Sequence, residues 1–167
     1  MPKTITIKMS RESINDAIEE LEKYREDFIK KLDLFTRTLI TDGVAIARTY
    51  IQTGAGTSRQ ASVSWQVNQQ GEICRAQISM IGHDCAFIEF GAGIYYNASD
   101  TPHAAEHGMG IGTFPDQIHA FDNGWWYYDS SGNSVYTHGT EATMPIYHAK
   151  ESITNNAILR ALQIFRS

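Results

Sequence analysis

Cysteine is scarce in this sequence, and neither a long hydrophobic run nor an excess of basic residues is present. Only Cys74 and Cys85 occur in the chain, and a chain of this length can bury roughly 70% of its unfolded surface without a disulfide scaffold. The net charge of −5 disfavours a nucleic-acid surface, so we predict no sequence-specific nucleic-acid partner. The longest uncharged stretches contain polar residues and glycines, which predicts no membrane span.

The first residues of the chain lack an apolar core of the length that a signal peptide requires, which predicts synthesis in the cytosol. A hairpin between predicted strands at 73–80 and 85–90 would place Met80 opposite Cys85 and Cys74 far from it. A disulfide between the two cysteines is therefore geometrically disfavoured, and both thiols are expected to be free.

Hydrophobic periodicity predicts one long helix near the start of the chain. After an N-terminal arm at 1–9, which alternates like a short strand at 3–8, Ser10 is suited to cap a helix over 10–52. The helix carries one apolar stripe with a 4-3 repeat, which is interrupted at Arg25 and Asp42 and is made of Ile14, Ile18, Leu21, Phe28, Leu32, Phe35, Leu39 and Ile46.

This predicted helix is longer than the domain that contains it. Forty-odd residues at about 1.5 Å each span roughly 60 Å, whereas a compact domain of this size is only about 40 Å across. One possibility is a break near Asp42 and Gly43, since an interior glycine costs about 1 kcal/mol relative to alanine. The other is that the apolar stripe contacts another subunit.

The rest of the chain shows strand and turn signals before a final helix. Strand patterns at 63–90 predict an antiparallel meander, and 91–123 form a long insert without periodicity. An aromatic hairpin at 124–138 follows, and Thr143 is suited to cap a last helix over 143–166 with Pro145 in its first turn. We therefore predict a single α+β domain over 1–167, with both helices packed on an antiparallel sheet of about five short strands.

The sharpest enzymatic pattern is H-x-x-E-H, in which two histidines one helical turn apart bind zinc and the glutamate acts as a base. The residues concerned are His103, Glu106 and His107, with Glu141 or Glu151 as a third protein ligand. Such a site needs a rigid helix, and here Pro102 and Gly108 bracket the pattern. We favour solvated loop histidines and predict no metal, no cofactor and no enzymatic activity; a zinc hydrolase is an alternative function.

Four consecutive aromatic residues, Trp125–Tyr128, precede Asp-Ser-Ser-Gly-Asn. This segment looks like one unit of the cell-wall choline-binding repeats, in which aromatic faces cage a quaternary ammonium. Those modules use several tandem copies, and this chain has one. Strand alternation also turns two of the four rings inward, so we predict structural or assembly roles for Trp125 and Trp126. A cell-wall carbohydrate- or choline-binding module is a second alternative function.

The order of these features resembles the tailed-bacteriophage family of head–tail connector, tail-completion and minor tail proteins. Beside the long helix and the strands that follow it, two short segments carry the resemblance. Residues 86–91, Ala-Phe-Ile-Glu-Phe-Gly, are similar to the family's apolar-Glu-apolar-Gly strand. Residues 142–149, Ala-Thr-Met-Pro-Ile-Tyr-His-Ala, are similar to the opening of its last helix.

The resemblance implies a structural protein that is made in the bacterial host cytoplasm and located in the virion. It implies a homo-oligomeric ring, with six-fold symmetry favoured, at the head–tail neck or the head-proximal end of the tail. The expected partners are portal or adaptor, tail-terminator and tail-tube proteins, and no catalytic residue is implied. A ring closes through heterologous contacts, so each subunit needs two different contact surfaces, for which the long helix and the insert are candidates.

Within the two similar segments, Glu89, Gly91 and Pro145 are predicted to have structural roles. On the predicted strand, Glu89 shares a face with Cys85 and Phe87, where a carboxylate must be hydrogen-bonded. We expect its partners to be backbone N–H groups of the turn at Gly91–Gly93.

Overall fold

The computed structural model describes residues 6, 8–56, 60–96, 104–109, 112, 118–129 and 131–166. Helices and antiparallel strands are both present, which confirms the α+β class. The helices are α1 (Arg11–Thr53), α2 (Cys85–Phe90) and α3 (Pro145–Phe165). The strands are β1 (Ala61–Gln70), β2 (Ile73–Gly82), β3 (Trp125–Tyr128) and β4 (Ser134–Thr137). Among the described residues, short 3-10 turns lie at Ile94–Tyr96 and Ala105–His107.

Helix α1 is the central element of the fold. It begins where predicted, because the Ser10 backbone is extended and the Ser10 side chain accepts a hydrogen bond from the Ser13 backbone N–H. The helix continues without interruption through Gly43 to Thr53. Gly43 therefore does not break it. A Cβ atom at this position would lie 2.6 Å from Cδ1 of Ile153, so the glycine instead permits close packing.

Helix α3 runs antiparallel along α1, and three contacts fix its register. The rings of Tyr50 and His148 stack with centroids 4.0 Å apart at one end. In the middle, the Arg160 guanidinium contacts one carboxylate oxygen of Asp42 at 2.8 and 3.0 Å. At the other end, the Phe165 ring lies 5.6 Å from the ring of Phe28.

The hairpin of β1 and β2 covers a second side of α1. Val63 pairs with Met80 and Trp65 with Ile78, so one face of the hairpin turns its apolar residues toward the helix. At the tip of the hairpin, Gln69 donates to the Ile29 carbonyl. The buried core between these elements consists of Val44, Ala47, Ile51, Val63, Ile88 and Ala149.

Residues 85–90 form helix α2, and the prediction of a strand there was wrong. A short apolar run is compatible with either a buried strand or a helix, so periodicity alone does not decide between them. Here Asp84 precedes the run and Gly91, at φ 79°, ends it, which are helix boundary signals. The buried Ile88 side chain then anchors α2 in the core.

The predicted single sheet of about five strands was also wrong. Within the described ranges, four strands form two separate two-stranded sheets, β1–β2 and β3–β4. The conversion of 85–90 to a helix removes the strand that would have continued the meander of 63–90. The predicted strand at 3–8 and much of the insert at 91–123 lie outside the described residues.

Two further predictions concern membranes and thiols. No helix among the residues described has the length and apolar character needed to cross a bilayer. Cys74 and Cys85 are both free thiols, as expected.

Candidate functional site

Glu89 joins helix α2 to the start of helix α3. Its two carboxylate oxygens accept hydrogen bonds from the backbone N–H groups of Ile146 and Tyr147, each at 2.9 Å. The prediction that backbone N–H groups satisfy this carboxylate was correct, but the predicted donors in the turn at Gly91–Gly93 were wrong. The donors lie in the first turn of α3, where N–H groups have no partner within their own helix and favour a negative charge.

Opposing effects act on the Glu89 carboxyl. Burial raises its pKa above the ordinary value, whereas the hydrogen bonds from Ile146 and Tyr147 and the nearby His148 lower it. Burial is the largest of these effects, so the net pKa is raised. The Glu89 carboxylate therefore loses water on burial, and hydrogen bonds from the protein backbone take its place.

The start of α3 explains why this external carboxylate is used. The residue before the helix is Met144, which has a left-handed backbone at φ 47° and makes no capping hydrogen bond through its side chain. The predicted cap at Thr143 was therefore wrong, and Thr143 instead donates its backbone N–H to the Ile88 carbonyl at 3.0 Å. Pro145 occupies the first position of the helix, as predicted, and is fully buried.

The segment after α2 is tied to two distant segments of the chain. Gly91 donates its N–H to the Phe87 carbonyl and ends the helix with a positive φ that favours glycine. The backbones of Ala92 and Thr140 then exchange two hydrogen bonds of 2.8 and 3.0 Å. Ala55 in turn bonds to Glu141, so the chain after α1, the chain after α2 and the chain before α3 meet at one place.

The aromatic hairpin has one covered face and one open face. Trp125 and Tyr127 are partly buried, whereas Trp126 and Tyr128 are 65% and 78% exposed, which follows the predicted alternation. The hairpin turn is held by Asp129, whose carboxylate accepts the N–H groups of Ser131 and Asn133. These hydrogen bonds lower the pKa of Asp129, and the bond from the Asn133 backbone has the largest effect.

Aromatic rings continue from the open face in a row across the surface. The ring centroids of Trp126 and Tyr136 are 5.3 Å apart, those of Tyr136 and His138 are 5.2 Å apart, and those of His138 and Tyr95 are 4.8 Å apart. We call these four residues the aromatic row. Three of its members are largely exposed, which makes the row a candidate contact surface.

The H-x-x-E-H pattern is only partly described, because His103 lies outside the described residues. Glu106 and His107 are in a 3-10 turn that ends at Gly108, and the His107 ring lies 5.7 Å from that of Phe90. The two candidate third ligands have other contacts. Glu141 accepts the Ala55 N–H, and Glu151 lies 3.4 Å from His148. Within the part of the chain that is described, no group of three or more His, Cys, Asp or Glu residues could hold a metal.

Two other described features bear on catalysis. A cleft beside the C-terminal end of α1 has one ionisable group, Arg48, and is completed by Ile51, Gln52, Ala61, Ser62 and Val63. A general acid–base mechanism needs a titratable pair, which this lining does not provide. Burial raises the pKa of the Cys85 thiol, which disfavours the thiolate that a nucleophile requires.

Helix α1 extends beyond the hairpin tip and beyond the end of α3, and Ala17 is a buried residue within this extension. The hairpin tip contacts α1 at Arg25, through an ion pair with Glu72 at 2.8 Å, and α3 ends against Phe28. Residues 11–24 lie beyond both contacts, and we call them the projecting segment. At about 1.5 Å per residue the segment is about 21 Å long. This is the overhang that the helix length predicted.

Sequence reasoning missed two of these features. The pairing of Asp42 with Arg160 and the inclusion of Tyr95 and His138 in the aromatic row join residues that are far apart in the chain. No local motif marks either pair. Comparison of this chain with protein-family models, with curated proteins and with solved structures finds no match.

Proposed function

We propose that this chain is a structural component of a tailed phage or prophage virion. It forms a ring at the head–tail neck or at the head-proximal end of the tail. In that position it contacts portal or adaptor proteins on one side and tail-terminator or tail-tube proteins on the other.

The observation that carries the proposal is the contact between the two segments that resemble the connector family. Glu89 of the Ala-Phe-Ile-Glu-Phe-Gly segment accepts hydrogen bonds from Ile146 and Tyr147 of the Met-Pro-Ile-Tyr-His-Ala segment. Unrelated short matches 57 positions apart have no reason to meet through specific hydrogen bonds. Their contact supports the view that they form one structural unit, as a shared family fold requires.

The distribution of exposed apolar residues supports self-assembly. The projecting segment carries Ile14, Ile18 and Leu21 on one stripe, and all three are exposed by two fifths or more. The aromatic row adds a second exposed apolar surface. Large exposed apolar surfaces on soluble chains mark contacts with other proteins, and a ring needs two of them on each subunit.

Deletion of the gene from the phage that encodes it tests the proposal. We expect negative-stain electron microscopy to show heads and tails that are no longer joined, or tails with an incomplete proximal end. Expression of the wild-type chain from a plasmid should restore joined particles. A deletion strain that yields normal, infectious particles would contradict the proposal.

A second candidate function follows from the open face of the aromatic hairpin. Trp126 and Tyr128 present their rings to solvent beside Tyr136, which is the arrangement that cages a quaternary ammonium or stacks on a sugar. A cell-wall carbohydrate- or choline-binding role would use this face.

Tryptophan fluorescence distinguishes this second candidate from the first. If the face binds choline or wall fragments, millimolar ligand should change the emission of the wild-type chain, and Trp126→Phe should abolish the change. Trp65→Phe is the matched control, since Trp65 is an exposed tryptophan on β1, in the other sheet. No response at millimolar ligand rejects this function.

A further inference from the structure

Asn123 and Gly124 form the only Asn-Gly pair of the sequence, and they lie directly before β3. Asn123 is exposed and Gly124 is partly exposed, so solvent reaches both residues. Neither belongs to a helix or a strand, so no regular backbone hydrogen bonding holds the pair. An asparagine in this setting is chemically labile, because glycine has no Cβ atom to shield its backbone nitrogen.

Two groups of this pair that can react with each other have no hydrogen-bond partner among the described residues. They are the side-chain amide of Asn123 and the backbone N–H of Gly124. The main-chain carbonyl of Asn123 is held, because it accepts a hydrogen bond from Nδ1 of His138. The backbone is therefore fixed beside the pair, while the amide and the N–H group stay available.

Packing explains why a glycine follows Asn123. A Cβ atom on Gly124 would clash with the hydroxyl group of Tyr136 and would lie 3.0 Å from Nδ1 of His138. Tyr136 and His138 belong to the aromatic row, so a side chain at position 124 would displace part of that row. The fold therefore requires the residue that leaves Asn123 most reactive.

Asn133, in the turn of the same hairpin, provides the contrast. Its side-chain amide donates to the Asp129 carboxylate at 3.1 Å, and its backbone N–H donates to the same carboxylate at 2.9 Å. The residue that follows is Ser134, which begins β4 and has a Cβ atom beside its nitrogen. One hairpin thus contains a held asparagine and a free one.

We propose that Asn123 is a site of spontaneous deamidation, a reaction with water that needs no enzyme and no cofactor. The Gly124 nitrogen loses its proton and attacks the side-chain carbonyl carbon of Asn123. A new C–N bond forms and the amide C–N bond breaks, and the amide nitrogen takes up the proton and leaves as ammonia. Water then opens the cyclic succinimide at either carbonyl, which gives aspartate or isoaspartate.

Both products add a negative charge at the edge of the aromatic row. In isoaspartate the peptide bond to Gly124 runs through the side-chain carbonyl, and the carbonyl that accepted from His138 becomes part of a free carboxylate. The His138 ring lies between those of Tyr136 and Tyr95, so this change acts on the middle of the row. The reaction is therefore a slow and irreversible change of a candidate contact surface.

Ageing of the purified full chain at mildly alkaline pH, followed by mass spectrometry of chymotryptic peptides, tests the proposal. We expect Asn123 to change from amide to acid about tenfold faster than Asn133, because only Asn123 precedes an unshielded glycine nitrogen. A protein isoaspartate methyltransferase should label the aged wild type. Asn123→Gln should remove the label, since glutamine would have to form a larger and less favourable ring. The matched control, Asn133→Gln, should keep it.

A further measurement follows the effect on the aromatic row. The isoaspartyl form can be separated from the unaged chain by ion exchange, because it carries the additional negative charge. The NMR signals of the His138 ring should shift in this form relative to the unaged chain. Unchanged His138 signals would overturn the effect that we assign to the reaction.

Two results would overturn the modification site itself. One is an Asn123 that keeps its amide in the folded chain, and the rate in the urea-unfolded chain then shows whether the fold protects the pair. The other is an equal rate at Asn123 and Asn133. Neither result bears on the virion role, because the reaction needs no partner.

Discussion

Glu89 shows how a single side chain can be fixed by partners 57 positions away in the chain. Its sequence context was sufficient to predict that the carboxylate needs backbone donors, because an apolar neighbourhood leaves no water for it. Its donors were not predictable, since they depend on how α2 and α3 meet. The left-handed backbone of Met144 was not predictable either, because nothing in the local sequence requires that conformation there.

Replacement of Glu89 by alanine should destabilise the fold. Both N–H groups in the first turn of α3 would lose their acceptor, and the cost should be about 2–3 kcal/mol in the free energy of unfolding. Urea unfolding at neutral pH measures it. The matched control is Glu72→Ala, whose exposed ion pair with Arg25 should contribute less than about 1 kcal/mol. Equal effects of the two substitutions would contradict the role assigned to Glu89.

The raised pKa of Glu89 predicts a dependence of stability on pH. Because the folded-state pKa lies above the ordinary 4.5, the folded chain keeps this proton over a pH window in which the unfolded chain has lost it. That contribution to stability is fully present below 4.5 and is lost as the pH rises through the folded-state value.

The variant Glu89→Gln isolates this contribution, since glutamine does not titrate. The advantage of the wild type over the variant in the free energy of unfolding should be largest at the acidic end of the window and should shrink as the pH rises. Chemical unfolding at a series of pH values measures the difference. A difference that grows with pH would show that the hydrogen bonds, and not burial, dominate the pKa.

At the scale of elements, long periodic segments were predictable and short ones were not. The apolar stripe of α1 repeats over many turns, so it predicted both the helix and where the helix ends, with Ser10 at the start. Residues 85–90 span less than two helical turns, so their pattern fits a strand equally well. Their state was decided by the burial of Ile88 and by the partners of Glu89, which no local pattern contains.

Gly43 sets how closely α1 and α3 approach each other. A Cβ atom at this position would lie 2.6 Å from Cδ1 of Ile153 and 3.0 Å from Cδ1 of Ile78. Gly43→Ala should therefore gain about 1 kcal/mol of helix propensity and lose a similar or larger amount to overpacking.

A double-mutant cycle with Ile153→Val separates these two effects. Valine lacks the Cδ1 atom that the new methyl group would meet, so the pair should be coupled by about 1 kcal/mol, with the double variant more stable than additivity predicts. Thermal or urea unfolding of the four proteins measures the coupling. Additive effects would show that the helices separate freely at this point.

At the scale of the whole molecule, the length of α1 relative to the domain was the most informative property of the sequence. It predicted either a break near Gly43 or an overhang of the unbroken helix. The helix is unbroken, and the projecting segment is that overhang. How much of the helix is covered was beyond sequence reasoning, because it depends on where α3 and the β1–β2 hairpin end along α1. The aromatic row similarly depends on the fold to bring Tyr95 beside His138.

Quantitative mass spectrometry of purified particles tests the virion role most directly. Particles from the phage or prophage that encodes this chain should be separated on a density gradient and their proteins counted relative to the portal protein. The proposed role predicts that the chain is present in intact particles at a fixed ratio to the portal protein, as a ring component must be. Intact, infectious particles without the chain would contradict it.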